Sequence, residues 1–226
     1  MDQPSDLDQR IGAIAALDQP LRRDLHRLLA TSGDWTSRDD AAAALGVPRS
    51  VAAFHLDKLA EAGVVEVRYE RTTGRTGPGA GRPAKLYRVG DGELAASVPE
   101  RRYDLAGSLL ASAVAESART AAPVAECLHE VAGATGREVG ASARDDDGEL
   151  VDVLADHGYE PEVGADGEIA LANCPFHRLA EEHRDLVCTM NLDFLTGLLD
   201  GLGPERRLTA RLEPSPGHCC VRIAAG

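Results

Sequence analysis

The chain has 226 residues, 43% hydrophobic and 27% charged, a globular balance that excludes wholesale disorder, a collagen repeat and a coiled-coil rod. No run approaches the roughly 18 apolar residues of a membrane span, and the start MDQPSDLDQR has no apolar leader. Five cysteines, an odd number, in such a chain point to a reducing cytoplasm rather than a disulfide framework. The net charge of -13 is unevenly spread: residues 1–90 hold 13 Lys/Arg against 12 Asp/Glu, whereas residues 91–226 hold 11 against 25. Within 68–88 six cations (Arg68, Arg71, Arg75, Arg82, Lys85 and Arg88) face one acid, Glu70. A basic segment kept inside an acidic chain is an electrostatic footprint for a polyanion.

In chain order, Ile11, Ile14 and Leu17 keep a helical step, and Leu21, Leu25, Leu28 and Leu29 repeat it after Asp18-Gln19-Pro20. Pro20 suits the first position of that second helix. Ser37 is placed to cap a third helix ending at Gly46, and Arg49–Ala62 forms a fourth that Gly63 stops. Val64–Tyr69 and Lys85–Val89 read as a strand pair around a loop, 72–83, that holds four Gly and two Pro. A phosphate-binding loop is the rival reading of GPGAGRPAK, but GxxxxGK[ST] is not met and no helix follows.

The segment SRDDAAAALGVPRSVAAFHLDKLAEAGVVEVRYE, with GRPAKLYR at 81–88, resembles the helix-turn-helix and wing of ArsR-like winged-helix transcription factors. Ala52, Leu56 and Leu59 fall on one face of the presumed recognition helix and are expected to pack inward. Arg49, Ser50, Ala53 and Phe54 lie toward its other side and N-terminal end, where such a helix meets bases in the major groove. Lys58, with Arg71, Arg75, Arg82 and Lys85 of the wing, completes the expected DNA-contacting set. His55 is intermediate and reads mainly as a packing residue. The resemblance implies double-stranded DNA carrying an inverted repeat as partner and a homodimer as the binding form. The Ala/Ser-rich helix 103–121 is the expected dimer element, followed by a helix from Pro123 to Ser142.

Glu149–His157 reads as a short helix, a hairpin turns at Asp166-Gly167, a helix runs from His183 to Leu199, and strands 208–213 and 219–224 close the chain. The architecture expected is α+β: a winged helix-turn-helix at 1–92, a helical linker at 93–144, and a small α/β sensor domain at 145–226. Cysteines in this last part are spaced Cys174-x13-Cys188-x30-Cys219-Cys220. No CxxC pair exists, so this is no zinc ribbon. Cys219 and Cys220 are adjacent on a strand and so point to opposite faces, which lets one of them share a site with the other cysteines easily and both only if the strand is distorted. Cys127 reads as a core thiol.

With CPFHRLAEEHRDLVC and GHCCVRI, nearly the whole chain resembles the SufR-type repressors of iron–sulfur cluster assembly genes. That resemblance implies a cluster, of [4Fe-4S] type, held by Cys174, Cys188 and Cys219 and controlling DNA affinity. The fourth ligand stays open among His177, Cys220, His183 and an external group. Zinc is an alternative metal. A looser likeness to vinyl-reductase-type sensor domains implies a small organic effector instead, and the plain alternative is thiols that fill a core. Catalysis by Cys174 with His177 or His183 as base lacks any recognisable signature, so the chain reads as a non-enzyme.

Overall fold

The structure, a computed structural model, describes residues 6–70, 83–90, 93–203 and 208–226 and divides into two compact units, Met1–Ala96 and Ser97–Gly226. The first unit contains α1 (Asp6–Ala16), α2 (Pro20–Ser32), β1 (Thr36–Ser37), α3 (Arg38–Leu45), α4 (Arg49–Glu61), β2 (Val65–Glu70) and β3 (Ala84–Val89). Local chemistry sets the ends. Pro20 opens α2, whose first turn is capped by the Gln19 side chain accepting from the Arg22 N–H, and Gly33 closes it at φ 64°. Ser37 accepts from the Asp40 N–H to cap α3, and Gly46 ends that helix, again at φ 64°. Leu25, Leu29, Ala41, Leu56, Leu59 and Tyr87 are buried together and fix α2, α3 and α4 against the sheet.

That sheet has the order β1-β3-β2 and is antiparallel, with Val65 opposite Val89 and Glu70 opposite Ala84. The hairpin therefore lies where the alternation of residues 64–69 and 85–89 predicts it. Two-residue β1 is an addition, too short to carry any alternation of its own. The loop between β2 and β3, with Arg71, Arg75 and Arg82, lies outside the described residues.

The second unit contains α5 (Tyr103–Thr120), α6 (Val124–Asp145), α7 (Leu150–Asp156), β4 (Pro161–Val163), β5 (Ile169–Leu171), α8 (His177–Glu182), α9 (Arg184–Leu202), β6 (Leu208–Leu212) and β7 (Val221–Ala225). Its sheet is antiparallel in the order β4-β5-β7-β6. Together the two units make a mixed helix-and-sheet fold with an N-terminal helix-turn-helix and a separate C-terminal sheet.

One expectation is corrected. The stretch 93–144 is not a linker between domains: Ala106, Leu109 and Ala113 of α5 and Leu128 and Ala132 of α6 share one core with Phe194, Leu198, Val221 and Ile223. The helix expected from His183 to Leu199 is present as α9, and the short α8 that precedes it, set off where His183 adopts φ -132°, ψ 51°, is an addition.

Close packing of α6 on α9 explains the shared core. A Cβ added at Gly136 would stand 2.0 Å from the Phe194 carbonyl oxygen, and one at Gly140 would stand 2.1 Å from that of Leu198. From the other side, Gly197 lies as close to the Gly133 carbonyl and Gly201 to that of Arg137. Backbone therefore meets backbone along both helices, as only glycine permits.

Candidate nucleic-acid interface and cysteine cavity

In the first unit α4 follows α3 across the Gly46-Val47-Pro48 turn and buries Ala52, Leu56 and Leu59, as the spacing requires. Arg49, Ser50 and Phe54 are exposed on the free side, Phe54 at 57%, and Ala53 is half-buried. Arg49 is held by Asp39 of α3 (Nε to Oδ1, 2.6 Å), and Lys58 by Glu61 one turn on (2.6 Å). Both cations are largely in water, where such pairs are worth at most about 1 kcal/mol and yield readily to a phosphate. His55 is half-buried with a fully covered Nδ1, and burial followed by the charge of Arg22 lowers its pKa. It is a neutral packing group.

Lys85, expected at DNA, is used otherwise. Its Nζ donates to Asp57 of α4 at 2.6 Å, and its side chain is only 19% exposed. Asp57 also accepts from the Tyr87 hydroxyl (2.6 Å) and from Arg38 Nη2 at both oxygens (2.8 and 2.7 Å), while Arg38 Nε donates to the Tyr87 hydroxyl (2.8 Å). Burial alone would raise the Asp57 pKa, but the hydrogen bonds from Lys85, Tyr87 and Arg38 outweigh it and bring the pKa down to about 2. One carboxylate thus ties the presumed recognition helix to the start of α3 and to the wing strand β3. A concavity of about 430 Å³ opens beside it, walled by Ser37, Arg38, Asp39, Arg49, Tyr69 and the 83–85 segment. On β1's side of the sheet, the guanidinium carbons of Arg68 and Arg88 stand 4.6 and 5.0 Å from the Trp35 ring centroid.

In the second unit one cavity of about 400 Å³ is lined by Cys174, Cys188, Cys219 and Cys220, with His177, Arg184 and His218 among its other walls. Three separate stretches deliver the thiols: the corner between β5 and α8, the first turns of α9, and the approach to β7. Cys219 and Cys220 precede β7, where the chain is irregular, so strand alternation does not apply and both reach the same cavity. His177 stands at the rim, exposed and paired with Glu181 (3.4 Å), and His183 is not among the lining residues. Cys127 is buried in the core and does not line this cavity.

The thiols influence one another. Cys174 bonds Cys219, which with burial drives the Cys174 pKa far up. Cys219 is eased down by that same bond, pushed up by its bond with Cys220 and by burial, and ends at about 11. Burial raises Cys188, against an opposing hydrogen bond with Cys220. Neutral thiols of this kind are the opposite of an activated nucleophile. Cys219 Sγ also accepts from Asn191 Nδ2 (3.2 Å), and Asn191 Oδ1 in turn accepts from the buried Tyr159 hydroxyl.

No three His, Cys, Asp or Glu groups among the described residues are gathered closely enough for a single metal ion. Four thiols, soft donors for a thiolate-bound group, line one cavity of about 400 Å³. Asp57, Arg38, Tyr87 and Asn191 escape sequence reasoning, since each is defined by a partner at least 19 residues away.

Residues 17–68, which span α2 to β2, match the family model of a helix-turn-helix domain. No curated protein matches the chain. The matched residues form a helix-turn-helix domain, which supports a DNA-binding transcriptional regulator. No helix among the described residues is long and apolar enough to cross a membrane.

Proposed function

We propose that this regulator's affinity for its operator is set by an iron–sulfur cluster of [4Fe-4S] type held by Cys174, Cys188 and Cys219, with Cys220 as the fourth ligand. The observation that carries the reading is the convergence of four thiols from three stretches on one cavity of about 400 Å³. A bound cluster supplies a charge and a redox state that respond to the cell's oxygen and iron. The chain's part is to give up thiol protons, which the high thiol pKa values make a cost that only strong cationic ligation offsets. Asn191 directs an N–H at Cys219 Sγ and so stabilises negative charge there. Arg49, Ser50 and Phe54 meet the bases, while Lys58 meets the backbone.

The regulator acts as a homodimer on an inverted repeat. Tyr103, Gly107, Ala111, Val114 and Ala118 lie exposed along one side of α5, with Leu110 half-buried beside them, a stripe of small and apolar groups suited to the same helix of a second copy. Sedimentation tests this directly, since Val114→Glu should turn a dimer into a monomer.

The cluster reading is tested by anaerobic purification and reconstitution with Fe²⁺ and sulfide, followed by a visible spectrum and iron, sulfide and zinc analysis. Matching iron and sulfide with broad visible absorbance are expected, and Cys174→Ser and Cys188→Ser should lose both. Zinc alone, or a colourless chain that still responds to an organic effector, would replace the cluster.

A further inference from the structure

Residue Ser97 is where the second unit begins, directly after Ala96 of the DNA-binding unit. The six residues that follow the junction are fastened at one place. Arg101 Nη1 donates to Asn173 Oδ1, to the Cys174 carbonyl (3.3 Å) and to the Glu100 carbonyl (3.0 Å). Asn173, only 5% exposed, donates back from Nδ2 to the Glu100 carbonyl (2.8 Å) and to the Gly158 carbonyl (2.6 Å). The Arg102 N–H bonds the Pro175 carbonyl (3.1 Å), and the Arg101 N–H bonds Ser97 Oγ (2.7 Å). Gly158 leaves little room beside the strap, since a Cβ there would touch Glu100 and Arg102 at 3.2 and 3.3 Å.

We propose that Arg101 and Asn173 form a latch between the 97–102 strap and the Cys174 corner, and that this latch passes occupancy of the cysteine cavity to the DNA-binding unit. The inference rests on the reading of Cys174 as a ligand. Ligation fixes the Cys174 side chain, and the carbonyls of Cys174 and Pro175 belong to the same two peptide units that hold Arg101 and Arg102. A movement of that corner therefore reaches the strap without crossing a flexible segment. The strap then alters the restraint on the chain entering the first unit, and a coupling of this kind typically changes affinity about 5- to 150-fold. Asn173 and Arg101 are positioning residues, since neither offers a soft donor to the cavity.

The test uses the full chain, unloaded, reconstituted with Fe²⁺ and sulfide, and separately loaded with Cd²⁺ as a thiol-seeking probe. Amide exchange at Arg101 and Arg102 should slow by about tenfold or more on loading in the wild type and by under about twofold in Arg101→Ala. The variant should keep the wild-type metal content. Its loaded and unloaded forms should bind the duplex that the wild type selects from a random pool with nearly equal affinity. Arg101→Gln, which retains one donor, serves if the alanine variant does not fold. An Arg101 variant that retains the wild-type exchange change and affinity ratio overturns the latch. A wild type that takes up Cd²⁺ but no iron and sulfide overturns the cluster reading alone, because the Cd²⁺ arm still decides the latch.

Discussion

On the outer side of α4, Arg49 and Lys58 are exposed and each answers to one acid, whereas Cys219 in the second unit is 1% exposed, shares a cavity with three other thiols and accepts from an amide. The first arrangement is held loosely by water-screened pairs and is free to exchange partners with a polyanion. In the second arrangement Cys219 is held by burial, which helps raise its thiol pKa. The scaffolds differ in the same sense. Gly12 in α1 has nothing within 4 Å of an added Cβ, while Gly136 of α6 is in backbone contact with α9. A surface of screened ions and a cavity of thiols therefore differ in their tolerance to change.

The largest expected effect tests that difference in scaffold. Gly136→Ala must push α6 off α9 by more than an ångström, which should cost the second unit about 3 kcal/mol or more and disperse the cavity thiols. Gly12→Ala should instead leave the first unit unchanged or stabilise it by up to about 1 kcal/mol through helix propensity. Thermal unfolding, with thiol accessibility followed in parallel, checks both, and equal effects at the two sites would remove the distinction.

Next is a place where the first unit depends on a charge that is partly buried. Asp57→Ala leaves Arg38, Lys85 and Tyr87 without their shared acceptor and should cost about 2–3 kcal/mol, with weaker DNA binding because α4 loses its tie to β3. The pH dependence follows from the depressed pKa. A carboxylate lowered from 3.8 to about 2 on folding adds stability above its ordinary range and loses it as pH falls toward 2. With Asp57 about a third exposed, that pH-dependent part amounts to about 1–2 kcal/mol. Urea unfolding of wild type and Asp57→Asn should therefore show a gap at pH 7 that narrows between pH 4 and about 2.

How much of this was readable in the residues depends on the range of the forces involved. Helix ends declared themselves, since Pro20, Ser37 and Gly46 act on neighbours a few residues away. The cysteine set was legible as a list, but its convergence was not, because Cys219 and Cys220 meet in one cavity only where the chain leaves strand geometry before β7. Lys85 was misread for a related reason. Its basic neighbours suggested DNA, while the carboxylate that claims it lies 28 residues earlier on another element. The linker reading of 93–144 failed because Ala/Ser-rich helices resemble connectors until the glycines of α6 and α9 show how closely they pack.

A cap gives a smaller effect. Ser37→Ala removes the acceptor for the Asp40 N–H and should cost about 1 kcal/mol in the first unit, without altering the cavity's metal content. Ser37→Asp should restore most of that loss in an unfolding measurement, because the carboxylate caps the same N–H and favours the helix N-terminus.

The smallest expected effect separates reading from holding on the surface itself. Asp39 pairs with Arg49 at 2.6 Å, with both side chains about two-thirds exposed, and it also sits in the first turn of α3. Asp39→Asn should lower stability by under about 1 kcal/mol, since an exposed pair and a favourable helix-end charge are both lost. Its effect on DNA should have the opposite sign. Releasing Arg49 and removing a negative charge beside the interface should tighten binding by up to about fivefold at low salt, a gain that shrinks as salt is raised. Fluorescence anisotropy across a salt series measures it. If affinity falls with stability, then Asp39 positions Arg49 for its contact, and the outer side of α4 is as preorganised as the cavity.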